Sequence, residues 1–69
     1  MKKYLIQLNK VFSVPFVCYV YANNKKEAYS LYQKECSEHG MLHYSYVSKA
    51  HLKKIGKTNR TCGLDLVHI

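Results

Sequence analysis

Acidic side chains are scarce in this chain of 69 residues: Glu27, Glu35, Glu38 and Asp65 are all of them. General acid–base catalysis draws on paired carboxylates, or on a histidine oriented by one. Asp65 with His68 or His43 is the only conceivable pair, so catalysis is not expected. The cysteines, Cys18, Cys36 and Cys62, are odd in number and widely spaced. That excludes a disulfide framework and fits free thiols in a reducing cytoplasm. Cys18 and Cys36 fall on expected core faces, where cysteine behaves as a small hydrophobe. No C-x2-C pair exists to complete the C-x2-H-x3-H pattern of Cys36, His39 and His43, and a zinc site wants four ligands. Neither a metal nor a cofactor is expected. Gly56-Lys57-Thr58 resembles the end of a phosphate-binding loop, but His51 stands where that motif needs its first glycine.

Long apolar runs are missing too. The stretch from Val11 to Ala22 is 12 residues, against about 20 for a bilayer span. Lys2, Lys3 and Lys10 ahead of it, and Val20-Tyr21-Ala22 at its end, imitate a secretory signal. Pro15 interrupts the run, Gln7 and Asn9 punctuate the segment before it, and cleavage would leave too little chain for a core. The expectation is a cytoplasmic protein that does not enter membranes.

What the chain does have is positive charge and tyrosine. Eleven cations, ten of them lysine and one Arg60, give a formal net charge of +7, and seven tyrosines are interleaved with them. Such an excess favours an anionic partner, of which nucleic acid is the commonest. Nearly half of the residues are hydrophobic, too many for a disordered basic tail. A single domain over residues 1–69 is expected, with a thin core. Small cores often pair into homodimers, which cover apolar surface that one chain leaves bare.

Alternation and turn signals predict the elements. Tyr4 to Phe12 reads as a first strand, with Pro15 in the turn that follows. Phe16 to Tyr21 reads as a second. Asn23 or Asn24 caps a helix that runs to about His39 and stops at Gly40, burying Ala28, Leu31, Tyr32 and Cys36. Leu42 to Leu52 reads as a third strand, Lys53 to Arg60 as a basic loop, and Leu64 to Ile69 as a fourth strand. The fold class is therefore α+β: a small two-layer ββαββ domain, a mostly antiparallel four-stranded sheet with one helix packed on one face. The other face stays open, carrying Tyr19, Tyr21, His43, Lys49 and His51.

The strongest candidate site is the basic segment with Lys49, His51, Lys53, Lys54, Lys57 and Arg60, joined by Tyr19 and Tyr21 on the open face. Lysines act as flexible point charges for phosphate, and tyrosine rings stack on bases for about 1–3 kcal/mol each. The favoured expectation is a small basic non-enzymatic module that binds nucleic acid, DNA or RNA. If five phosphates are neutralised, the log–log salt slope on duplex DNA should be near −4 to −5. The alternative is a phage or mobile-element type inhibitor or adaptor. It would dock on a host protein or nucleoprotein complex, such as a defence nuclease, by its open face or an edge strand. A third reading, a metal-free toxin-like ribonuclease, would rest on His43 and His51.

Overall fold

The computed structural model describes all residues, 1–69. Strand β1 is Lys2–Ile6, where Tyr4 and Ile6 are buried and Lys3 and Leu5 only half so. It ends sooner than the alternation suggested. From Leu8 the apolar spacing becomes Leu8, Val11, Phe12, which is helical rather than extended. Leu8–Val11 accordingly forms a single turn, α1, with the amides of Lys10 and Val11 donating to the Gln7 carbonyl. Leu8 is buried, and Val11 and Phe12 pack against the core.

Ser13, at φ 56°, and Pro15 reverse the chain into β2, Phe16–Ala22. β2 pairs antiparallel with β1 from Lys2↔Ala22 to Ile6↔Cys18. The long helix α2, Lys25–Glu38, begins where the Asn24 side chain accepts the Glu27 amide at 2.9 Å. The Glu27 carboxylate in turn accepts the Asn23 amide at 3.2 Å, so two otherwise orphaned donors are satisfied. Ala28, Tyr32 and Cys36 are buried at four-residue spacing, one stripe facing the sheet. Gly40, at φ 70°, ends the helix. The Met41 amide then reaches the Cys36 carbonyl at 2.8 Å and the Gly40 amide reaches that of Ser37, the double closure of a Schellman motif.

Residues Leu42 to Leu52 do not form the expected third strand. They fold as two 3-10 turns, Leu42–Tyr46 and Lys49–His51. Alternation there is only apparent: Val47 and Leu52 alone are buried, and Tyr46 is 85% exposed. The Ser45 hydroxyl donates to the Leu42 carbonyl at 2.6 Å, an option that favours turn over ladder. The Tyr32 hydroxyl, out of the core stripe, donates to the Tyr44 carbonyl at 2.8 Å and ties the turn to α2. The Tyr44 ring meets Phe12 edge-on, with centroids 5.0 Å apart.

The segment read as a basic loop supplies the missing strand instead. β3 is Lys53–Lys57, antiparallel to β1, with a bulge between its pairs to Lys3 and Tyr4 where Gly56 takes φ 156°. Lysine suits such a position, because an edge strand must resist pairing with other chains. β4, Gly63–His68, pairs antiparallel with β2. The result is a four-stranded antiparallel sheet in the order β3-β1-β2-β4, with α2 on one face. The core of Ile6, Val20, Cys18, Tyr32 and Val47, with their buried neighbours, lies between the two layers.

Candidate nucleic-acid interface

Register decides which side of the sheet each cation occupies, because residues paired across strands project to the same face. One row reads Lys53, Leu5, Tyr19, Asp65 across β3, β1, β2 and β4. The next reads Gly56, Lys3, Tyr21, Gly63. Both lie on the face away from α2. The row Lys54, Tyr4, Val20, Leu64 lies on the helix side, as does Lys57 beside Lys2. Lys53 and Lys54 are therefore sequence neighbours on opposite faces.

The open face gathers one compact cluster. The Lys3 ammonium stands 4.5 Å above the Tyr19 ring centroid and 5.9 Å from that of Tyr21. The Arg60 guanidinium lies 4.3 Å from the Tyr21 centroid and forms an ion pair with Asp65. The Tyr21 hydroxyl donates to the same carboxylate oxygen at 3.0 Å. Gly56 and Gly63 flank Lys3 and Tyr21 in their row, so no side chain competes for that space. The cluster carries two cations against one anion, and Lys53 in the adjoining row makes three. The hydrogen bond from Arg60, then that from Tyr21, holds the Asp65 carboxyl below its ordinary range. Burial, reinforced by the Asp65 hydrogen bond, pushes the Tyr21 phenol up.

The two tyrosines differ in what they can offer. Tyr21 is only 5% exposed, roofed by Lys3 and Arg60, so its ring is not free to stack on a base. Tyr19 is half-buried, with the flexible Lys3 side chain over its ring. Lys3 is not among the nucleic-acid candidates read from the sequence, and Asp65 enters that reading only as a conceivable catalytic partner of His68 or His43. Lys3 falls outside a first strand that starts at Tyr4, although its place opposite Tyr4 in the alternation was the available signal.

The other candidates sit elsewhere. Lys49 begins the second 3-10 turn, with its ammonium 5.7 Å from the Tyr29 ring. His51 ends that turn and shares a shallow depression with Gln7, Lys10 and Lys53 at the β3 edge. His43 lies in the first 3-10 turn, its ring 3.9 Å from that of Tyr44. The expected placement of His43, Lys49 and His51 on the sheet is thus corrected, because the segment carrying them is not a strand. Cys36 is buried while His39 is exposed and lies 3.2 Å from Glu35, so the C-x2-H-x3-H residues diverge. No group of three or more His, Cys, Asp or Glu side chains is placed to share a metal ion.

On the helix side lies an apolar cavity of about 210 Å3, lined among others by Leu8, Phe16, Cys18, Tyr32, Met41 and Leu66. Burial pushes the Cys18 thiol up to about 12, and burial likewise raises Cys36. Both are protonated and inert near neutral pH. No helix is long and apolar enough to cross a membrane. No protein-family model matches the chain, and no curated protein or solved structure shows significant similarity to it.

Proposed function

We propose that the chain is a non-enzymatic nucleic-acid-binding module and that the open sheet face is its site. One observation carries this reading: Lys3, Lys53 and Arg60 stand on the same uncovered face as Tyr19. Cations set beside an accessible aromatic ring are the ingredients for gripping phosphates while a base stacks. Lys49, Lys54 and Lys57 add to the long-range positive field without joining the cluster, and His51 lies apart from it. A site of three cations implies a shallower salt dependence than the whole basic segment would give, a log–log slope of about −2 to −3.

The test is titration of labelled single-stranded and duplex DNA and RNA across a range of salt, beside Lys3→Glu/Lys53→Glu, which reverses two of the open-face cations. Micromolar or tighter binding, steeply dependent on salt and lost in the variant, supports the reading. A slope near zero would sink it. In that event the inhibitor or adaptor reading gains weight, and one feature favours it: β4 is an edge strand without lysine, open to strand addition.

A further inference from the structure

Leu66, Val67 and Ile69 are 46%, 39% and 60% exposed, three large hydrophobic side chains within four residues. β4 hydrogen-bonds to β2 from Phe16↔His68 to Tyr21↔Gly63, and its outer side has no strand. Leu66 pairs with Cys18 and projects to the helix side, at the lining of the apolar cavity. Val67 pairs with Val17 and projects to the open face. Exposure on both sides of one strand points to a missing lateral neighbour rather than to a bare face. α2 covers β2 more than β4, so the helix does not supply that cover.

Charge says what kind of neighbour fits. From Thr61 to Ile69 there is no lysine or arginine, and the one carboxylate, Asp65, is already paired with Arg60. The opposite edge, β3, carries Lys53, Lys54 and Lys57. A second copy brings its own +7, and this seam is an edge at which two such copies meet without setting lysine against lysine. We infer that β4 pairs antiparallel with β4 of a second copy, joining two four-stranded sheets into one of eight strands. The strand matches itself in one two-fold register in particular. With Leu66 opposite Leu66, Asp65 faces Val67 and Leu64 faces His68. A register centred on Asp65 would set two carboxylates opposite each other, which destabilises a sheet pair. A two-fold axis perpendicular to the sheet keeps both helices on one side and both open faces on the other. The two Lys3, Tyr19 and Arg60 clusters then share one surface. The inference stands without the nucleic-acid reading, since it rests on β4 alone.

A single strand seam is a small interface, so the dissociation constant should lie in the micromolar range. Sedimentation equilibrium of the full chain from about 1 to about 200 µM tests it, since a self-associating species grows with concentration. The expected result is a species of twice 8.1 kDa whose formation strengthens with salt, as repulsion between like-charged copies is screened. Val67→Glu, at a position already exposed and opposite Asp65 of the second copy, sets like charges against each other and should weaken association at least tenfold with an unchanged circular-dichroism spectrum, while Lys54→Thr should not weaken it. Leu66→Lys, which also touches the cavity, is the second variant and should act in the same direction. A monomer at every concentration overturns the inference and leaves the edge to a strand of another protein. A dimer indifferent to Val67→Glu overturns it equally, because the seam would then lie elsewhere.

Discussion

The two edges of the sheet are built on opposite principles. β3 presents Lys53, Lys54 and Lys57 along its length and breaks its register at a bulge beside Gly56. β4 presents Leu66 and Val67, followed by Ile69, with no lysine or arginine. Both have unpaired backbone groups on their outer side, but only β3 carries the charges and irregularity that discourage pairing. The comparison separates two uses of the same sheet: one edge kept apart from other chains, one left open to them. It also separates two roles for lysine. Lys54 and Lys57 guard an edge on the helix side, while Lys53 turns to the open face with Lys3 and Arg60.

Exchanging the character of the edges should give the largest effects. Lys53→Val/Lys54→Val would turn β3 into an apolar edge like β4, and aggregation should appear at concentrations where the parent chain stays clear by light scattering. Core substitutions calibrate the scale. Ile6→Ala removes a fully buried side chain from β1, the strand that anchors β3, and should cost about 2–5 kcal/mol in urea unfolding. An equivalent change at the exposed Ile55 of β3 should cost well under 1 kcal/mol. A chain this short has little margin, so Ile6→Ala should be largely unfolded at 37 °C.

Smaller effects sharpen the chemistry on the β4 side. Of the three thiols, only Cys62 is exposed. The native protein should therefore react with one equivalent of a disulfide reagent, and with three only after unfolding. Cys18, held protonated by burial, adds an alkaline limit. Its raised pKa favours the folded state fully below the ordinary thiol range, and that contribution is lost as pH rises from about 9 toward about 12. Unfolding midpoints should fall over that window, and a Cys18→Ala variant should show a shallower fall. Asp65 works with the opposite sign. Its lowered pKa means that the Arg60 pair contributes above the ordinary carboxyl range and is lost as pH falls below about 4. Asp65→Asn should remove that acid sensitivity. It should also free Arg60 for an external anion, raising nucleic-acid affinity by about threefold, the modest size expected of a surface pair.

Much of the architecture could be read from residue types alone. The cap at Asn24, the stripe of Ala28, Tyr32 and Cys36, and the stop at Gly40 mark α2 because each solves a helix-end or burial problem locally. The antiparallel β1–β2 pair and the terminal strand follow from alternation bounded by Pro15 and by the turn before Gly63. The stretch from Leu42 to Leu52 misled because tyrosine and serine in alternation imitate a half-buried strand. Their hydroxyls and carbonyls were claimed instead by turns and by Tyr32. Once that segment is a pair of turns, the place beside β1 falls to Lys53–Lys57, whose lysines read locally as loop. The site was legible as a list of cations and tyrosines, not as a geometry. Which side of the sheet each lysine takes depends on register between distant strands, and no local pattern encodes that. Lys3 alternates with Tyr4 in the sequence, but its place close to both Tyr19 and Tyr21 follows from its pairing with Tyr21.

The most direct test sets two pairs of lysines against each other. Lys3→Glu/Lys53→Glu and Lys54→Glu/Lys57→Glu remove the same charge from opposite faces of one sheet. Binding of a labelled single-stranded oligonucleotide at about 0.15 M salt, where charges more than about 8 Å apart are largely screened, reads the difference. The open-face variant should lose at least tenfold in affinity and flatten the salt slope, and the helix-side variant should lose only a few-fold. Equal losses, or a larger loss from Lys54→Glu/Lys57→Glu, would contradict the assignment of the open face as the site.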